Sequence, residues 1–169
     1  KYGIEFQVNS TTVGNQVKQT VAVLANDRFE ATWTDTSKTS TDTSSFGIRA
    51  RLFDANGTPF AADFIVNTTT AGEQLTPRVT ALSDGKFVVA WSDRRNAGSS
   101  DVYAARADTG GDVLDPCGVP ISEADNWQQI PALAVSGDQI LVVWEDYRND
   151  FFGDVWGGRI TATGGAITR

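Results

Sequence analysis

The chain has 169 residues, a net charge of −7 and no histidine. That is room for one domain with its own core. It excludes the basic stripe that tracks a phosphate backbone and the histidine-based zinc, Ser–His–Asp and Cys–His sites. Hydrophobic residues make up 40%, with 16 glycines, and no apolar run approaches the roughly 20 residues of a membrane span, so neither nucleic-acid binding nor membrane insertion is expected.

In chain order, "YGIEFQVN" (Tyr2–Asn9) reads as a strand, followed by "STTVGNQ" up to Gln16. The first four-strand unit then takes a strand after Gln16, the tryptophan strand "FEATWTD" (Phe29–Asp35), "GIRARLF" (Gly47–Phe53) and, after the Asn56-Gly57 turn, "TPFAADFIVN" (Thr58–Asn67). The second unit repeats the order after Gln74: "TPRVTAL", "KFVVAWS" (Lys86–Ser92), "DVYAARA" (Asp101–Ala107) and a fourth strand reaching Ser122. The third follows Gln128 with "IPALAV", "QILVVWE" (Gln139–Glu145) and "DVWGGRI" (Asp154–Ile160), then the Gly164-Gly165 turn. Glycine and Asn/Asp pairs between the runs are hairpin signals.

Three anchors recur in register: Trp33, Trp91 and Trp144; Arg51, Arg106 and Arg159; and "EFQVNSTTVGNQ" (Glu5–Gln16) returning as "DFIVNTTTAGEQ" (Asp63–Gln74). Repetition of four short strands predicts an all-β, β-propeller-like fold of three four-stranded blades. The boundaries are repeat 1 at about 10–67, repeat 2 at about 68–122 and repeat 3 at about 123–169, all in the single repeat domain 1–169. Strands two and three of each unit alternate only loosely, which predicts sheets covered on both faces. The last unit lacks a fourth strand and the chain opens with one. The N-terminal strand, residues 3–9, is therefore expected to be displaced into the last blade. Three blades fall short of the usual minimum of about four. Self-association as a head-to-tail dimer with a six-bladed ring is expected, or else the remainder of a longer chain.

The motifs "Q-x-x-P-x-V/L", "V-V-x-W-x-D-x-R-N" and "D-V-Y/W-x-x-R", carried best by Gln74–Arg106 and Gln128–Arg159, resemble those of secreted bacterial repeat proteins of β-propeller type. The first unit resembles a variant found in large bacterial surface proteins and adhesins, but departs from the pattern at "TDTSKTSTDTSSFG" (Thr34–Gly47). The resemblance implies a secreted or cell-surface location and a non-catalytic binding or scaffold module for carbohydrate or a surface protein. Two alternatives stand beside it: a purely structural repeat segment of a larger secreted protein, and a glycan-active propeller enzyme using paired carboxylates. The sequence singles out no acid for a central pocket, so no enzymatic activity is expected.

Two loops concentrate polar chemistry. Asp93, Asn96 and Asp101 in the second unit match Asp146, Asn149 and Asp154 in the third. Their oxygens suit a hard cation such as Ca²⁺; equally, Arg95 and Arg148 can brace the acids inside a hairpin turn. The tryptophans at 33, 91 and 144 read as core. Trp127, Tyr147, Phe151, Phe152 and Trp156 are peculiar to the third unit. They read either as rings that stack on a glycan or as packing between blades or chains. Cys117, the lone cysteine, lies in the turn "DPCGVP", without a neighbour to activate a thiolate. Asn9, Asn56 and Asn67 stand in N-x-S/T sequons.

Overall fold

A computed structural model describes residues 5–24, 27–39, 46–162 and 167–168. Among them run eleven strands: β1 (Gln16–Val23), β2 (Phe29–Asp35), β3 (Gly47–Phe53), β4 (Phe64–Ile65), β5 (Gln74–Ala81), β6 (Phe87–Asp93), β7 (Asp101–Ala107), β8 (Val119–Ser122), β9 (Gln128–Ser136), β10 (Gln139–Asp146) and β11 (Asp154–Thr161). They form three antiparallel meanders, β1-β2-β3-β4, β5-β6-β7-β8 and β9-β10-β11. The Gly164-Gly165 turn lies outside the described residues; beyond it, Thr168 pairs back to Thr161.

The sheets stack in chain order, and the tryptophan side of each packs on the sheet before it. Phe87, Val89 and Trp91 of the second sheet meet Ile48, Ala50 and Leu52 of the first. Ile140, Val142 and Trp144 of the third meet Val88, Ala90, Val102 and Ala104 of the second. The middle sheet is thus covered twice, and every residue of β6 and β7 is buried. That is why these strands read as continuous apolar runs. The expectation of two covered faces fails for the third sheet, where Leu141 and Val155 are exposed and none of the described residues packs a further sheet over them.

The N-terminal strand also departs from expectation. Residues 3 and 4 lie outside the described residues; residues 5–9 form no strand and sit on the first sheet, not the last. Local partners hold them there: Phe6 meets the Phe53 ring at 5.8 Å, and Arg51 donates to the Val8 carbonyl at 2.7 Å. Asp63 accepts the backbone N–H groups of Ser10 and Thr11 at 2.8 and 2.9 Å. Among the described residues, the third sheet therefore has three strands.

The repeated Asn and Gln form a clamp. Asn67 Nδ2 donates to Gln74 Oε1 at 2.9 Å, its Oδ1 accepts the Ile48 N–H at 2.7 Å, and Gln74 Nε2 donates to the Ala71 carbonyl at 2.8 Å. Asn67 is fully buried by this role, so its sequon is inaccessible in the folded chain.

Each sheet's first strand carries a bulge whose residue lies in the left-handed region: Lys18 (φ 59°), Thr76 (φ 50°) and Ile130 (φ 54°). For branched Thr76 and Ile130 this conformation is costly. Each is held by the preceding sheet: Thr76 N–H donates to Thr34 Oγ1 at 3.2 Å and Ile130 N–H to Ser92 Oγ at 2.9 Å. Replacing Ser92 with Ala strands the Ile130 N–H and is expected to cost roughly 1–3 kcal/mol, read as a lower urea midpoint at unchanged slope.

Glu30 occupies the repeat position of Val88 and is fully buried, and neither carboxyl oxygen has a hydrogen-bond partner. Burial holds its carboxyl protonated well above the usual range. The folded state thus binds a proton that the unfolded state releases, so stability falls as pH rises from the ordinary glutamate range towards the raised folded value. Glu30→Val is expected to remove that slope and to stabilise the protein by roughly 1–3 kcal/mol at neutral pH, measured by denaturation across pH.

Candidate functional site

The loops after the tryptophan strands are built alike in the second and third sheets. Asp93 Oδ2 accepts from Trp91 Nε1 at 2.8 Å, and Asp93 Oδ1 accepts the Arg95 N–H and Nε, each at 2.9 Å. Asp146 receives Trp144 Nε1 at 2.8 Å, the Arg148 N–H at 3.0 Å and Arg148 Nε at 2.8 Å. The guanidinium of Arg95 then lies 3.8 Å from the centre of the Tyr103 ring, and that of Arg148 3.9 Å from Trp156. Burial pushes the Asp146 carboxyl up, but the Arg148 and Trp144 donors outweigh it and hold it below the usual range. Burial lowers Arg95, and the hydrogen bond and charge of Asp93 more than restore it.

The candidate cation ligands are therefore engaged elsewhere. Asp93 and Asp146 are buried against arginines, while Asp101 and Asp154 accept from Asn96 at 3.1 Å and Asn149 at 3.5 Å. Among the described residues, no three acidic, histidine or cysteine side chains converge as a metal cluster. In the first sheet Asp35 binds Arg49 Nε at 3.1 Å and Ser37 Oγ at 2.5 Å instead. Trp33 Nε1 is left buried without an acceptor.

Next to the third loop is a cavity of about 580 Å³ lined by Asn126, Trp127, Tyr147, Asn149, Asp150 and Phe151. Two segments meet here because the Tyr147 N–H donates to the Trp127 carbonyl at 2.9 Å and the Gln128 N–H to the Ser100 carbonyl at 2.6 Å. Asn126, at φ 64°, makes the turn that delivers Trp127. The Trp127 indole N–H donates to the Gly98 carbonyl at 3.3 Å, and Arg94 lies 4.9 Å from its ring centre. Gly153 leaves room for Tyr147, since a Cβ there would fall 2.9 Å from the ring.

Three of the five singled-out aromatics thus share one cavity. Phe151 is fully exposed at its rim. Phe152, 83% exposed, does not line it, and Trp156 lies beneath Arg148. Asn126 was not singled out by the sequence; its neighbour Trp127 was the available signal. Rings edged by amides and a carboxylate suit a sugar, whose apolar face stacks while its hydroxyls take hydrogen bonds.

Two ionisable groups of β7 are perturbed. Burial raises the Asp101 carboxyl, with the negative charges of Glu123 and Asp93 adding and Asn96 opposing. The Tyr103 hydroxyl is pushed up to about 12 by burial and by its hydrogen bond to Glu123. Cys117 is exposed, and its carbonyl accepts from Arg95 at 2.9 Å.

No protein-family model and no curated protein matches the chain. Solved structures do. The family-43 endo-arabinanase from Bacillus licheniformis superposes with a TM-score of 0.57 at 13% identity, over 95% of this chain and 59% of that one. The endo-arabinase from Bacteroides thetaiotaomicron gives 0.57 at 14%, over 89% and 57%. A thermostable family-43 glycoside hydrolase gives 0.57 at 12%, over 90% and 56%. The chain spans less than two thirds of the length of each. These likenesses establish an all-β fold of propeller type. They run against the expectation of a non-catalytic binding or scaffold module, and with it that of no enzymatic activity: the three solved proteins just named are two arabinan-cleaving enzymes and a glycoside hydrolase.

If the acids serve the turn, Asp146→Ala destabilises by roughly 1.5–3 kcal/mol, the range for hydrogen bonds to charged groups, and EDTA leaves the melting temperature unchanged. Thermal melts of both samples check this, and a fall with EDTA would favour the cation reading.

Proposed function

We propose that the chain is part of a glycan-active propeller module that seats a neutral saccharide in the Trp127–Tyr147–Phe151 cavity. The observation that carries the reading is this cavity, three rings edged by Asn126, Asn149 and Asp150, on a fold shared with glycoside hydrolases. Hydrolysis of glycosides commonly uses one protonated and one ionised carboxyl. Asp150 supplies a carboxyl at the cavity. The repeat resemblance supports a secreted or cell-surface setting, where polysaccharide is met.

The test is release of reducing ends from linear arabinan and from other neutral polysaccharides. The expected result is turnover by the wild type, with Trp127→Ala raising KM by roughly tenfold or more, as loss of a stacking ring implies. Asp150→Asn, which removes the carboxyl at the cavity, is expected to lower kcat. Absence of turnover on all of them would end the proposal.

A further inference from the structure

The two junctions between neighbouring sheets use the same three contacts. The first is a backbone bond: Gln74 N–H to the Phe46 carbonyl at 3.0 Å, and Gln128 N–H to the Ser100 carbonyl at 2.6 Å. The second is the bulge N–H on a side-chain oxygen, Thr76 on Thr34 and Ile130 on Ser92. The third is a tryptophan face on an aliphatic face.

Each outer side of the array carries one half of the two hydrogen bonds; of the third contact, Trp33 is already buried beside Phe53 and Val8, while Val21 and Val23 of β1 stay exposed. On the third sheet the repeat counterparts of Phe46 and Ser100, of Thr34 and Ser92, and of Ile48 and Val102 are Gly153, Glu145 and Val155. Val155 is 79% exposed, and Leu141, the counterpart of Val88, 48%. On the first sheet the counterparts of Gln74, Thr76 and Trp91 are Gln16, Lys18 and Trp33. There a groove of about 220 Å³ runs past Gln19, Val21, Ala31 and Trp33. Lys18 already holds the left-handed conformation that Thr76 and Ile130 adopt at the filled junctions.

We infer that a second copy of this chain docks head to tail, its third sheet on the first sheet of its partner, and that the reciprocal contact closes a ring of six sheets. The charges choose the occupant. At both filled junctions the acceptor is a neutral hydroxyl and the bulge residue is uncharged. At the open sides the acceptor position holds a glutamate, Glu145, and the bulge a lysine, Lys18. These opposite charges meet only when the third sheet of one copy faces the first sheet of another, because the second sheet separates them within one chain. Two-fold closure uses each half once and leaves no apolar face open.

The inference is independent of the proposed activity, and its readout is mass. Analytical ultracentrifugation of the full chain, from micromolar to hundreds of micromolar, is expected to show a monomer–dimer equilibrium. Lys18→Glu and Glu145→Lys each weaken dimerisation by roughly tenfold or more through like-charge contact. The double exchange, Lys18→Glu with Glu145→Lys, recovers it. Circular dichroism melts confirm that all three variants fold. A monomer across the range, an open polymer, or a dimer that neither single variant weakens would overturn the inference.

Discussion

A β-sheet with two apolar faces must be covered twice. The middle sheet of this chain meets that demand with one neighbour on each side, and the other contacts follow from it. Trp91 fills one junction and Trp144 the other. Because each indole N–H is buried, it needs an acceptor, and Asp93 and Asp146 stand two residues on to supply one. Because those carboxylates are then buried, they need a cation, which Arg95 and Arg148 provide. The arginines in turn cover an aromatic ring of the next strand. One requirement, a dry tryptophan, thus propagates into the composition of the whole loop. The first sheet tests the logic: where Asp35 turns to Arg49 and Ser37, Trp33 loses its acceptor.

Much of this was legible in the sequence because the repeat made it so. The tryptophans, the Gln that opens each unit and the third-strand Asp-Val pairs of the second and third units recur in register, and the sheets follow them. The N-terminal strand was not legible. "YGIEFQVN" has the alternation of a strand, but pattern cannot say which edge takes it. Phe53, Arg51 and Asp63, scattered along the first unit, hold it on the nearest sheet. The left-handed bulges were equally hidden, since Lys18, Thr76 and Ile130 share no residue type. Their conformation is imposed by an acceptor on another sheet.

The cavity was half legible. Trp127, Tyr147 and Phe151 stood out as rings without counterparts in the second unit, and the structure gathers them. Phe152 stood out for the same reason, and Trp156 as the replacement of Tyr103, and both serve elsewhere: Phe152 donates its N–H to Asp150, and Trp156 underlies Arg148. Adjacent residues on a turn point apart, so novelty within a repeat marks a region better than it marks a lining. Asn126 and Asp150 carry the polar edge yet look like ordinary turn residues, because their role depends on a loop from another strand.

The junction halves have an evolutionary consequence. A unit that presents a donor half on one side and an acceptor half on the other is compatible with any copy of itself. Tandem duplication then needs no new interface, only a connecting loop. Copy number is left to be fixed by the rotation from one sheet to the next, a quantity that no single unit encodes. The same symmetry leaves loops that stand outside the junctions free to differ, as the one after Trp33 does, without cost to the junctions.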